Sequence, residues 1–253
     1  MRKLFAALAA LLVLLSGAVS LAEPLALSDD LAGTYCWPEG SSEDTAVFLY
    51  RYCFPQVQGD GSTEENINAF YQYQLSDECE FRVAMAGNAV QHPELDAFMD
   101  IRYSVTVNDD RYFGVLLRRE TVADGERLVI YSSQVFGRAS DKPGDVLTLA
   151  YILGVLAEDS DDSWLQNRQT NWASECVREL VWEQAQRKAS TDPKYAALTR
   201  EDLNNDFYPE EDFYYDGELD ALVFFLQPYM SGDEASDELL VFPLTVEEIL
   251  DEL

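Results

Sequence analysis

The last 53 residues, 201–253, hold seventeen Asp and Glu and no Lys, Arg or His, yet they also carry nine Phe and Tyr. A run of like charge stays disordered when it cannot bury enough apolar surface to offset chain entropy, and such tails are poor in aromatics. This block has the aromatics, so it is expected to fold with its rings inside and its carboxylates outside. An ordered surface of one charge suits docking of an oppositely charged partner better than it suits a flexible spacer. The apolar spacing predicts strands near Phe207, at 213–215, at 221–227 and at 239–242, with a final helical turn from Thr245.

Upstream, residues 45–57 alternate Phe48, Tyr50, Tyr52 and Phe54, a period-two strand that Pro55 ends or places at an edge. Ser62 with Glu65 three residues on reads as a capping box. Ile67, Phe70, Tyr71 and Leu75 then mark one face of a helix reaching about Glu80 or beyond. From Asp100 to Gly137 the pattern is an antiparallel meander: Ile101, Tyr103, Val105 and Val107 alternate inward, Asn108-Asp109-Asp110 turns, 112–122 returns, Asp124-Gly125 turns again, and 128–136 forms a third strand. Lys142-Pro143-Gly144-Asp145 is a further turn, followed by a short extended piece entering a helical turn over 146–154. The acidic run 158–163 reads as a solvated break, and a long helix follows over about 164–189 with Leu165, Trp172, Cys176 and Leu180 as its buried stripe. A shorter helix is predicted over 193–201. The expected fold is α+β, an antiparallel sheet packed against two long helices, with segments 23–150 and 151–253 sharing one core.

Residues 1–22 begin with Arg2 and Lys3, continue through an apolar run over 4–15 and end in small residues before Glu23, which reads as a secretory signal peptide. A membrane anchor is the alternative, but the run falls short of the roughly 18–20 residues a span requires. Cleavage after Ala22 leaves 15 basic residues against 47 acidic ones, a net charge of −32. Nucleic acid is thereby excluded as a partner. Solubility alone, or a saline habitat, explains such acidity as readily as a cationic ligand does. Export permits disulfides among Cys36, Cys53, Cys79 and Cys176. Cys36 and Cys53 flank a short acidic loop while Cys79 and Cys176 fall on helical stripes, so the expected pairs are 36 with 53 and 79 with 176, the alternative being four reduced thiols.

Little points to catalysis. His92 is the single histidine, so a metal-dependent deacetylase or a serine hydrolase would lack its ligands or its base. Asp202, Asn204 and Asp206 have the first three spacings of a calcium loop, but Phe207 stands where glycine is required and Phe213 where the closing Glu belongs. Calcium held by the acidic runs 158–162 or 210–212 is weaker than their reading as solvated faces. A carboxylate-dependent glycosidase needs only two acids, and nothing among 47 singles out a pair. No cofactor and no metal are expected.

Asp206-Phe207-Tyr208, Tyr215-Asp216-Gly217, the run from Leu222 to Pro228-Tyr229, Gly232 and Phe242-Pro243-Leu244 together resemble the extracellular domain of the RsiV family of lysozyme-sensing anti-sigma factors. Tyr52-Cys53-Phe54-Pro55 with Ile67-Asn68, and Pro143-Gly144-Asp145-Val146-Leu147-Thr148-Leu149, are similar to the segment preceding the catalytic domain in the PdaC family of peptidoglycan deacetylases. The resemblance spans about residues 45–250, without a cytosolic, membrane or deacetylase part. It departs after Tyr229, where Met230-Ser231-Gly232-Asp233 replaces the apolar continuation. What it implies is a secreted or envelope-associated, non-enzymatic module whose ligand is lysozyme or another cationic protein, or alternatively peptidoglycan. Pro228 and Tyr229 are then expected at the contact, or merely as the end of a strand, with Tyr214, Tyr215, Glu210, Glu211 and Asp212 as neighbours.

Overall fold

In a computed structural model of the chain, the described residues are 23–28, 31–92, 97–138, 141–155, 163–232 and 236–253; the expected signal peptide and the acidic run 158–162 lie outside them. The fold is α+β, as expected, built of antiparallel sheets and several helices. Strands β1 (Leu27–Ser28), β2 (Ala32–Trp37), β3 (Phe48–Cys53) and β4 (Gln56–Val57) lead into helix α1 (Ser62–Gln91), followed by β5 (Phe98–Asn108), β6 (Tyr112–Ala123) and β7 (Glu126–Gly137). Five of these strands form one sheet in the order β2-β3-β5-β6-β7. Only β3 and β5 run parallel, because the chain between them returns through α1, the crossover that a parallel pair requires. Strands β1 and β4 form a separate two-stranded sheet.

The meander forms as expected, with one change of face. The β5–β6 register shifts between Val105 and Val107, so Val105 stays exposed while Val107 is buried. A bulge inserts one residue and reverses the alternation beyond it. Helix α1 also starts differently. Its N-cap is Gly61, with no side-chain bond, so the capping box of Ser62 and Glu65 does not form. The first turn is instead held from outside, by Asn66 Nδ2 donating to the Pro143 carbonyl at 2.7 Å. Gly144 in that turn has φ +75°, and a Cβ there would meet the Thr63 carbonyl oxygen at 2.5 Å. That approach leaves room only for glycine.

The C-terminal half comprises α2 (Leu149–Ile152), α3 (Ser163–Ala189), α4 (Arg200–Asp206), β8 (Phe213–Asp216), β9 (Ala221–Leu226), β10 (Leu240–Leu244) and α5 (Val246–Glu252). The strands form their own sheet in the order β10-β9-β8. Phe207 is not in a strand: it caps α4 and buries its ring edge-on to Phe224 at 6.3 Å. Along α3 the fully buried row is Ala173, Val177, Val181 and Ala185, whereas Trp172 is 49% exposed and Cys176 and Leu180 are half-buried. The expected stripe is therefore displaced by one residue; the Leu165 side chain lies outside the described ones. Both rows have helical spacing, and the smaller side chains permit closer approach to the core.

Among the described residues, two apolar clusters fill the interior. One gathers α1 with Phe48, Tyr50, Met99, Phe113 and Phe136; the other gathers α3 with the three-stranded sheet and takes in Val107 and Val135 from the first half. Adjacent residues Val135 and Phe136 thus serve opposite faces of β7. Polar bonds join the layers: the Ser133 hydroxyl donates to the Phe213 carbonyl, and the Gly217 amide donates to the Thr106 carbonyl at 3.0 Å.

The expected disulfides do not form. Cys36 stands opposite Leu49 and Cys53 opposite Ala32 on the β2–β3 ladder. Four ladder positions amount to about 13 Å, far beyond the reach of a disulfide, about 7 Å between Cα atoms. Cys36 and Cys176 are free thiols, and the Cys176 thiol donates to the Ile249 carbonyl at 3.7 Å. The Cys79 side chain lies outside the described ones.

Candidate functional site

The expected contact residues fall at the open end of the β8–β9 hairpin. β9 is buried along its whole length, and the chain then turns through Pro228–Ser231 as a single helical turn. Gln227 sets the position of that turn. Its buried side-chain amide accepts from the Tyr131 N–H at 2.9 Å and donates to the Tyr131 carbonyl at 2.8 Å, so it completes the backbone bonding of β7. Pro228 is buried as a consequence, while Tyr229 is left 49% exposed.

Tyr229 lines a groove of about 450 Å³ together with Gly125, Glu126, Arg127, Leu128, Val129, Pro228 and Ser236. Leu128 is also exposed, so the groove has two apolar walls. Its end is braced by ion pairs: Arg127 binds Asp237 at 2.6 Å and Glu120 at 2.6 Å, and Arg118 binds Glu120 at 2.9 Å and Asp237 at 2.8 Å. The Arg127 hydrogen bond, seconded by Arg118, holds the Asp237 carboxyl down at about 2.

Asp206, Tyr208 and Asp212 also lie near Tyr229. Burial raises the Tyr229 phenol, and the nearby Asp206 and Asp212 carboxylates and Tyr208 add to the shift. Asp212 accepts the Tyr208 N–H at 2.8 Å, and its carbonyl accepts the Phe225 N–H at 2.9 Å. Burial pushes its carboxyl up to about 6 against the opposing pull of the Tyr208 amide. A raised carboxyl was therefore present, although its flanking sequence did not single it out. Glu210 accepts from the Ser174 hydroxyl, and Glu211 is exposed.

The remaining expected neighbours separate from this cluster. Tyr214 is half-buried and stacks on Phe225 at 6.3 Å. Tyr215 lies near the hairpin's turn, its hydroxyl donating to Asp220 Oδ1 at 2.5 Å while Arg111 Nη2 donates to the same oxygen at 2.7 Å. Arg111 stacks over Tyr112 and Tyr215, with centroid distances of 5.4 and 5.5 Å. Burial and the bond to Asp220 push the Tyr215 phenol up to about 12. It is a structural tie, not a neighbour of Tyr229.

Arg127, Leu128 and Gln227 escaped the sequence reading. The signal for the first two was their place just past the Asp124-Gly125 turn; what they face depends on a segment more than 100 residues away. Asp202, Asn204 and Asp206 sit on α4, where Asp202 is used to cap Thr199, so they form no calcium loop. Among the described residues no group of three His, Cys, Asp or Glu could hold a metal ion, and no helix is long and apolar enough to cross a membrane.

A DUF3298 family protein from Pseudomonas aeruginosa PAO1 matches with a TM-score of 0.54 over 90% of this chain and 94% of that one, at 12% identity. The fold is that of a DUF3298 protein. A DUF3298 family member from Bacteroides fragilis NCTC 9343 matches with a TM-score of 0.48 at 12% identity, covering 90% and 91%. No protein-family model matches the chain, and no curated protein matches its sequence. At this identity the likeness to the DUF3298 structure is one of fold, and it extends over nearly the whole chain.

Proposed function

We propose that this DUF3298-type chain is an exported, non-enzymatic binding module of the bacterial envelope that captures a cationic protein such as lysozyme. The observation that carries the reading is Tyr229, half exposed at the Leu128 groove and near the carboxylates of Asp206 and Asp212. An aromatic ring beside several carboxylates attracts Lys and Arg side chains through both ring and charge. Arg111, Arg118, Arg127, Lys194 and Arg200 are each paired with a carboxylate elsewhere. The amino-terminal pattern supports export, and the RsiV-like motifs support lysozyme as the ligand. The fold shared with a DUF3298 protein is consistent with that resemblance.

Titration with lysozyme at physiological and at high salt tests the reading. Saturable binding at physiological salt, weakened by high salt and reduced about tenfold or more by Tyr229→Ala, is expected. Absence of saturable binding at physiological salt ends it. The second reading, a cell-wall glycan-binding module, draws on the Tyr229–Leu128 groove, whose apolar walls suit a sugar face. It predicts pull-down with purified peptidoglycan that salt barely changes.

A further inference from the structure

Strand β7 is an edge of the five-stranded sheet, and that edge is closed along most of its length. Alternate residues of an edge strand turn their amide and carbonyl away from the ladder; on β7 these are the odd-numbered ones. The Gly137 amide donates to the Asp145 carbonyl at 2.9 Å, and the Val135 carbonyl accepts from the Leu147 amide at 2.7 Å. Tyr131 is served by both ends of the Gln227 side-chain amide. Val129 and Arg127 have no such cover: among the described residues, none bonds to the outward amide or carbonyl of either. Both line the Tyr229 groove. The groove therefore holds two donors and two acceptors, set in the alternation of a β-ladder, with no strand to receive them.

The side chains beside this open stretch are apolar. Leu128 and Ile130 share one face of β7 and are 44% and 37% exposed, and the half-exposed ring of Tyr229 lines the same groove. Sheets protect such edges with charge, proline or a covering segment. Here the one charged side chain of residues 127–130, Arg127, is held by Asp237 and Glu120. On β2, the opposite edge, the exposed side chains are Ala32 and Thr34. An extended polypeptide meets all four backbone groups at once and lays alternate side chains along Leu128 and Ile130. A second copy of this chain is a poor occupant, since it brings a further net charge of −30 to a groove lined by Glu126, with Asp206 and Asp212 near Tyr229. The same charge favours a basic segment.

We propose that the Tyr229 groove takes up an extended, basic segment of a partner polypeptide, which adds to β7 as a further strand through the backbone groups of Arg127 and Val129. The inference rests on the reading above only for the Tyr229 groove as a binding surface; it does not require lysozyme.

Calorimetric titration of the whole chain with the peptide acetyl-Lys-Val-Lys-Val-Lys-Val-amide, and with two versions N-methylated at every Val or at every Lys, tests this. All three carry the same charge and side chains, but each methylated one lacks the N–H groups of one strand edge. At physiological salt the unmethylated peptide should bind saturably, one methylated peptide about as well, and the other about tenfold or more weaker, because an added strand pairs through one edge alone. Val129→Pro, which removes an outward amide and no ladder bond, should weaken the unmethylated peptide about tenfold or more. Amide exchange at Val129 should slow in the complex while exchange along β2 does not. Equal binding by the three peptides overturns the proposal in favour of diffuse attraction; no saturable binding, or protection along β2 instead, overturns it outright. Should Val129→Pro lose its fold by circular dichroism, the methylated peptides and the exchange of the unaltered chain decide between the same outcomes. Lysozyme binding that Tyr229→Ala weakens, with no peptide binding, removes strand addition and keeps the capture reading. Edge-selective peptide binding without lysozyme binding does the reverse.

Discussion

The Arg127 guanidinium donates two hydrogen bonds to the Asp237 carboxylate, at 2.6 and 2.8 Å, across 110 positions of sequence. With Arg118 and Glu120 this pair fastens the approach to β10 onto the β6–β7 hairpin and braces one end of the groove beside Tyr229. The geometry is bidentate, the form in which surface ion pairs contribute measurably. The Asp237 side chain is 43% exposed, and solvent screening limits the contribution of the pair to about 0.5–1 kcal/mol. Arg127→Ala is expected to lower stability by that amount in urea unfolding. Because folding depresses the Asp237 carboxyl to about 2, this stabilisation is present above the ordinary carboxylate range and is lost as pH falls toward 2. The variant and the parent should therefore converge at the acid end.

Asp212 gives the opposite sign. Its folded carboxyl is raised from the usual 3.8 to about 6 by burial, so the folded state holds the proton more tightly than the unfolded one. Stability from this group is complete below about pH 4, declines as pH rises through 6, and is gone above it. Asp212→Asn keeps an acceptor for the Tyr208 amide and removes the ionisation. After allowance for its partial exposure, the variant is expected to be more stable than the parent by about 1–2 kcal/mol at pH 7.5. The advantage should shrink toward pH 4.5; a pH-independent difference would contradict the assignment.

Val181 and Trp172 separate the two helical rows of α3. Val181→Ala opens a cavity in the second cluster and should cost about 2 kcal/mol in urea unfolding. Trp172→Ala, despite removing far more atoms, should cost under about 1 kcal/mol, since the indole lies off the buried row. The reverse order would restore Trp172 to the core.

Gln227→Ala removes both bonds to the Tyr131 backbone and leaves that amide and carbonyl without their partner in a covered layer. A loss of about 1–3 kcal/mol is expected. Amide hydrogen exchange at Tyr131 should accelerate more than at Phe136, whose amide lies on the other edge of β7 and faces its ladder partner Phe113. Equal acceleration at both positions would show that Gln227 acts through general stability alone.

Much of this architecture was legible residue by residue. The period-two rows of 48–54 and 101–136, the Asp124-Gly125 turn, the long helix ending at Ala189 and the strand at 221–226 appear where spacing placed them, because periodicity reports which face of an element meets apolar neighbours. The candidate site was legible only in part. Asp212 lies near Tyr229, but Glu210 is bonded to Ser174, Tyr215 is drawn to Arg111 and Asp220, and Arg127 and Gln227 act through partners about 100 residues distant. The start of α1 was misread for a similar reason: Asn66 and Gly144 form the external contact that secures its first turn.

Local pattern, then, was sufficient for the kinds of element and their order, and for the requirement that an acidic, aromatic-rich terminus fold with its charge outward. Which of two equally periodic rows on α3 is buried, which face Val107 takes beyond the bulge, and which carboxyl is raised were set by packing. Each of these depends on the shape and dielectric of the surface that the chain meets when its halves come together, and no window of sequence contains that surface.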